Sequence, residues 1–349
     1  MQRSWAAPFL SVGFAVLLAS CREQSGATET SASREPVGVV LADVPGDPVA
    51  RIYEFGTHPD GYFLLDGPAA RVLLIGRDGR VSRSLGRHGG APGEFRDASS
   101  ATAASDGRLA VLDPPFITIF SKSGDVVARV MTRPALGTLK WACNDSILVF
   151  AGHGDVLPSS KIPALEFFSD DGRPVGGTRP WPRWSPSMNN SIAALAFSER
   201  DCVITAMEAL GRQYAVVDLR ADTQAIEPRD VPWPENPAEV MTAAVNAGSD
   251  PVAAGKLVST NTGIWRVAGD TVLVRQDSTS ADLAVSFRYR LVVNGVGSSS
   301  DRTDLKIWEA DADSISFTRV RDDGTIEVGR ASIRWLLDPL RKALPRGTR

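Results

Sequence analysis

Two stretches of this chain are copies of one another. Asp60-Gly61, the apolar run Tyr62–Leu65 and Asp66, followed by Arg71–Ile75 and Asp78-Gly79, return as Asp106-Gly107, Leu109–Leu112 and Asp113, followed by Phe116–Phe120 and Ser123-Gly124. Asp60 and Asp106 lie 46 residues apart, and Gly79 and Gly124 lie 45 apart. A unit of short β-runs and tight turns recurring at this period belongs to an array, a solenoid or a propeller, because one unit cannot bury its apolar face without a neighbour.

The period continues in weaker form. Asp145, Asp201, Asp270 and Asp313 each precede a short β-rich run, at Ser146–Phe150, Cys202–Ala206, Thr271–Arg275 and Ser314–Thr318. With Asp60 and Asp106 they mark six units. Asp171-Gly172 and Asn294-Gly295 follow further β-runs and predict hairpins, since both central turn residues must reach positive φ. About 300 residues divided among six units is about 50 each, enough for a four-stranded blade. The expected fold is therefore an all-β, six-bladed propeller. Its blades fall near 50–86, 95–131, 136–182, 191–233, 258–300 and 304–335. The last unit is one strand short, and Val37–Leu41 is a lone β-run ahead of the first, so that run is expected to pair as the outer strand of the last blade and close the ring. Open strand edges would be shielded by this pairing.

Two segments depart from the pattern. Asn236-Pro237-Ala238-Glu239 has an N-cap, a first-turn proline and a capping glutamate, and predicts one short inserted helix over 237–247 between blades four and five, ended by Gly248. Near the C-terminus, Pro339 interrupts the run from Ile333 to Leu344, which predicts no more than a short helix or turn. The domain plan is thus a leader over 1–20, a tether over 21–36, the propeller over 37–338 and a tail over 339–349.

The leader carries Arg3, an apolar run from Ala6 to Leu18, and then Leu18-Ala19-Ser20-Cys21. This is the pattern of a secretory signal, and the apolar run is too short for a membrane span. Small residues at Ala19 and Ser20 suit a peptidase that must admit the backbone, and the Cys21 thiol directly follows. From Arg22 to about Pro36 the chain is rich in Ser, Thr, Ala, Gly and Glu without apolar periodicity, the composition of a flexible tether. The formal net charge is −3, and removal of the leader takes away only Arg3. No basic block is present, which argues against a nucleic-acid partner. Beyond Cys21, Cys143 and Cys202 are the two remaining cysteines, either a disulfide in an oxidising compartment or two separate buried thiols.

Two resemblances extend this reading. The Leu18-Ala19-Ser20-Cys21 box resembles that of bacterial lipoproteins. This implies that Cys21 becomes an acylated N-terminus bearing diacylglycerol and palmitate, and with Arg22 at the next position the outer membrane is the implied destination, periplasm-facing or cell-surface. Gly86-Arg87-His88-Gly89-Gly90-Ala91-Pro92-Gly93-Glu94-Phe95, followed by the Asp106-Gly107 run and the Ser123-Gly124 turn, closely resembles one NHL-type repeat. It is similar to the TolB-like and NHL-like six-bladed propeller lipoproteins of some Gram-negative bacteria. In such a linker the glycines permit a sharp crossing between blades, Pro92 stiffens it and Phe95 anchors it. Blades three to six lack this linker. Propellers of this pattern include lyases, lactonases, scaffolds and sugar-binding proteins, so the resemblance implies a fold and no single activity.

Catalytic parts are scarce. His58, His88 and His153 are the only histidines, each in a Gly- or Pro-flanked turn, and no nucleophile-elbow motif is present. The six repeated aspartates are expected at equivalent turns, either as ordinary turn formers or as a ring of carboxylates at one channel mouth able to take Ca²⁺ or a cationic ligand. Otherwise no cofactor or metal is expected. Pro180-Trp181-Pro182-Arg183-Trp184 and Pro232-Trp233-Pro234 recur 52 residues apart. Trp181, Trp184 and Trp233 are either packed between blades or form a platform for a sugar or peptide.

Three functions follow as expectations. The first is a lipid-anchored, non-catalytic binding or scaffold module with a protein, peptide or glycan ligand. The second is a metal-dependent hydrolase or lyase at the channel mouth, and the third a subunit of an outer-membrane assembly or export complex. Mass spectrometry of the mature N-terminus should show diacylglycerol on Cys21, and Cys21→Ser should move the protein out of the membrane fraction. An unmodified chain starting elsewhere would remove the anchor.

Overall fold

The computed structural model describes residues 36–41, 48–132, 136–153, 165–177, 195–208, 213–220, 228–231, 243–244, 246–248, 260–279, 285–345 and 347. Among them the chain is an all-β propeller with one helix long enough to name. The described strands form six four-stranded antiparallel sheets. The first holds β2 (Ile52–His58), β3 (Gly61–Asp66), β4 (Arg71–Gly76) and β5 (Val81–Leu85) in that order. The second holds β6 (Ser100–Ala103), β7 (Leu109–Asp113), β8 (Phe116–Phe120) and β9 (Val126–Met131). The third runs through β10 (Leu136–Ala142), β11 (Ile147–His153), β12 (Leu165–Ser169) and β13 (Pro174–Gly177). The fourth comprises β14 (Leu195–Arg200), β15 (Val203–Glu208), β16 (Gln213–Asp218) and β17 (Pro228–Asp230). In the fifth are β18 (Thr260–Ala268), β19 (Thr271–Thr279), β20 (Val285–Val293) and β21 (Val296–Thr303).

The sixth sheet draws on both ends of the chain. β22 (Lys306–Ala310), β23 (Ser314–Val320) and β24 (Ile326–Ser332) follow one another, and β1 (Val39–Val40) joins at the outer edge, with Val39 opposite Val328 and Val40 opposite Glu327. The first strands of consecutive sheets touch in cyclic order, and β22 touches β2.

Packing explains why the strands read as unbroken apolar runs. Side chains alternate along a strand, so each sheet feeds two cores. Phe63, Leu65, Val72 and Leu74 pack with Leu109 and Val111 of the second sheet. Their neighbours Leu64, Leu73 and Ile75 pack the other way, with Trp308 and Val328 of the sixth. The same division recurs throughout: Leu112 and Ile117 meet Leu148 and Phe150, Val149 and Phe167 meet Ile204 and Val217, Met207 meets Val274, and Leu273 meets Phe317. Six cores thus lie between consecutive sheets, the sixth joining last to first.

Local chemistry fixes the crossings between sheets. The buried Asp66 carboxylate accepts the amides of Ala50 and Arg51 (both 3.2 Å) and pairs with Arg71 at 3.0 Å. Its copy Asp113 accepts the amides of Arg96 and Asp97 at 2.7 Å each. In both units an aspartate that ends the second strand holds the segment entering the sheet. In the linker, Phe95 is fully buried and meets Phe120 edge-on at 6.0 Å. Gly86 has φ +84°, and a Cβ there would fall 2.2 Å from the Phe95 ring, so the linker glycine makes room for its anchor.

The C-terminal segment forms a short helix. α1 spans Arg334–Ala343 with Pro339 inside it, so it begins before the boundary placed at 338. An interior proline costs about 3 kcal/mol. Burial of Leu336, Leu337 and Leu340 against the fifth-sheet core returns about 1.5–3 kcal/mol each, which outweighs it. The expected inserted helix lies largely outside the described residues. At its end Ala247 N–H donates to Ala243 O at 3.0 Å, and Gly248 has φ +91°.

The join between chain ends is sterically tight. A Cβ on Gly38 would lie 2.5 Å from the Val328 carbonyl oxygen, and the Gly38 amide donates to Glu327. Gly38→Val should cost about 1–3 kcal/mol through overpacking, read as a lower midpoint in urea unfolding. An unchanged midpoint would mean that this pairing contributes little.

Candidate functional site

The first hairpin of each sheet, between its first and second strands, carries one of the six repeated aspartates: Asp60, Asp106, Asp145, Asp201, Asp270 and Asp313. They serve the rim locally. Asp106 pairs with Arg108 at 2.7 Å, Asp201 with Arg200 at 3.5 Å and Asp270 with Arg229 at 3.4 Å. Only Asp145 among them lines the cavity described below. No group of three or more His, Cys, Asp or Glu side chains arranged to hold a metal occurs among the described residues.

Neighbouring hairpins are stitched together. The Ser105 amide donates to Asp145 Oδ2 at 2.7 Å, and Arg108 donates to the Asp145 carbonyl at 3.0 Å. Cys143 and Cys202, 59 residues apart, form a disulfide between the first hairpins of the third and fourth sheets. Arg200 donates to Val267 O at 2.9 Å, linking the fourth to the fifth. Cys143, Asn144, Asp145, Asp201 and Cys202 all have positive φ, between 54° and 64°. Asn and Asp are the non-glycine residues that adopt left-handed backbone most readily, and three of these five are of that kind.

Inside this rim lies a cavity of about 220 Å³. Every first strand contributes to its wall: Thr57 from β2, Thr102 from β6, Lys140 and Trp141 from β10, Ser198 from β14, Trp265 from β18 and Glu309 from β22. Asp311, Ser314, Ser316 and Arg330 complete the side belonging to the sixth sheet. Glu309 Oε2 accepts the Thr57 amide and hydroxyl, both at 3.0 Å, and the Ser316 hydroxyl at 3.1 Å. Asp311 pairs with Arg330 at 3.2 Å and accepts the amides of Asp313 and Ser314.

Behind the wall is a buried charge network. Lys140 Nζ lies 3.7 Å from Glu54 Oε1, and the Ser100 hydroxyl donates to Glu54 Oε2 at 3.4 Å. Burial raises the Glu54 carboxyl above the ordinary range, opposed by Lys140, Lys306 and Arg275. Lys306 Nζ sits 3.7 Å over the Trp308 ring. Burial, reinforced by Arg275, pushes Lys306 down to about 7, with Asp277 and Glu54 acting the other way.

Trp181, Trp184 and Trp233, expected as a ligand platform, lie outside the described residues, as do Leu18, Ala19, Ser20 and Cys21. Apart from Asp145, the sequence reading did not single out the residues that line the cavity. A signal for them existed: charged side chains interrupt strands that are otherwise apolar, as in Leu139-Lys140-Trp141 and Ile307-Trp308-Glu309.

No family model matches the chain, and no curated protein matches it in sequence. Solved structures do match in shape. An exported protein from Bacteroides fragilis, titled putative, has a TM-score of 0.58 at 9% identity, over 85% of this chain and 95% of its own. A member of the DUF4221 family from Bacteroides vulgatus has a TM-score of 0.51 at 7% identity, over 85% and 95%. The WD40 repeats of RRP9 reach 0.51 at 10% identity, over 84% of each chain. At such identities the likeness is one of fold, the β-propeller. Among the described residues no helix is long and apolar enough to cross a membrane.

The buried amine sets a pH dependence. The folded-state value of Lys306 lies below the free value of 10.5, so the unfolded chain holds the extra proton between about pH 7 and 10.5. The lysine's contribution to stability is complete above 10.5 and drains away as pH falls to 7. Lys306→Met should therefore gain more stability over the parent at pH 6.5 than at pH 10 in urea titrations. A gap independent of pH would show that the amine is not desolvated.

Proposed function

We propose that this protein is an exported, lipid-anchored, six-bladed propeller acting as a non-catalytic binding module, with the central cavity as its ligand site. The observation that carries the reading is the cavity itself, a polar pocket to which all six first strands contribute, inside a rim cross-linked by a disulfide and hydrogen bonds. Binding sites are commonly concave, pre-formed and fixed by a few polar groups, and a scaffold with such a rim supplies pre-organisation. The count of six blades is supported by the six sheets, the cyclic contact of their first strands and the core between last and first. Anchoring rests on the Leu18-Ala19-Ser20-Cys21 box, and export is in keeping with the Bacteroides fragilis neighbour.

A reaction finds less support. Among the described residues the cavity wall has no histidine or cysteine, the commonest general base and the thiol nucleophile. The purified protein, incubated with a small-molecule metabolite extract and examined by native mass spectrometry, should carry a discrete adduct. Ala103→Trp, which fills the cavity, should lose it. Failure to find any adduct, or an adduct retained by the filled variant, would refute the cavity as the ligand site.

A further inference from the structure

Resting on that reading, we propose that the central cavity takes a small zwitterion of the α-amino-acid type, its ammonium on Glu309 and its carboxylate on the Lys140 and Trp141 side. The charges around the cavity sort by their partners. Arg330 is committed to Asp311 and Ser314. Glu309 has no ion pair among the described residues. Its Oε2 is pinned by three neutral donors while its Oε1 accepts none of the hydrogen bonds found there. A carboxylate held in place by neutral donors, with one oxygen to spare, is suited to a cationic N–H group. Asp145, in the first hairpin of the third sheet, stands at the rim with Oδ2 engaged by the Ser105 amide.

The third sheet, three places round the ring from the sixth, presents the complementary need. Trp141 is 5% exposed, and its indole N–H has no acceptor among the described residues. Lys140 Nζ is ion-paired with Glu54 at 3.7 Å but, among the described residues, makes no hydrogen bond. Buried donors left without acceptors are rare in native proteins. Between these sides, Thr102 on β6 and Ser198 on β14, both buried residues, line the wall.

A simple cation would leave the Lys140 and Trp141 donors unmatched. A simple anion would leave Glu309 without a cationic partner. A molecule carrying both charges on a short skeleton answers both sides, and about 220 Å³ suits a small one.

Isothermal titration calorimetry of the full mature protein tests this with the twenty common L-α-amino acids, plus the decarboxylated amine and the deaminated carboxylate of each binder. At least one amino acid should bind, with both half-molecules at least tenfold weaker. Glu309→Gln and Lys140→Met should each weaken it at least tenfold. The half-molecule comparison uses the unaltered protein and stands even if a variant misfolds. The inference is overturned if no amino acid binds, or if a half-molecule binds as tightly as its parent. Binding of amines or carboxylates alone would overturn it while leaving the cavity a ligand site.

Discussion

Burial of each sheet on both faces is the constraint from which the rest follows. A sheet with two apolar faces cannot stand at the end of a stack without exposing one of them. In this chain the face of the first sheet carrying Phe55, Leu64 and Leu73 is covered by Trp308 and Val328 of the sixth. The cyclic arrangement removes the terminal face that a solenoid would have to cap with polar residues. It also brings six first strands around one axis, where the wall residues differ from strand to strand. The fold thus creates a central site, and the sequence of each first strand decides its chemistry.

Edges are handled separately from faces. The outer strand of the sixth sheet comes from the far end of the chain, and α1 lies against β20 and β21 of the fifth. The outer strand of the first sheet carries Ser82, Arg83 and Ser84, polar side chains that discourage added strands. β9 is treated differently: Val127 and Met131 are 53% and 68% exposed. Nothing in the structure shows what would cover them.

Much of the fold was legible because its signals are local. Asp-Gly and Asn-Gly pairs mark hairpins through backbone conformation alone, and the paired Asp66 and Asp113 recur because each fastens a chain segment entering its own sheet. The site was not legible, for a physical reason. Repetition preserves what every unit needs, whereas the central cavity is lined by residues in which the units differ: threonine in the first and second sheets, lysine in the third, serine in the fourth, tryptophan in the fifth and glutamate in the sixth. A search for copies passes over such positions. At α1 a local rule about proline was outweighed by tertiary burial of leucines.

The charges near the axis bear on why the centre is polar at all. Moving Glu54, Lys140 and Lys306 out of water is costly, and apolar side chains of similar volume commonly replace buried ion pairs without loss of stability. The surrounding cores show that this chain fills space with Leu, Val and Phe wherever faces meet. At the axis it instead keeps a lysine pushed down to about 7 and a glutamate pushed up, with a tryptophan N–H left unmatched. Stability alone does not account for that choice, because the same strands supply well-packed apolar residues one position away, such as Leu139 beside Lys140 and Ile307 beside Lys306.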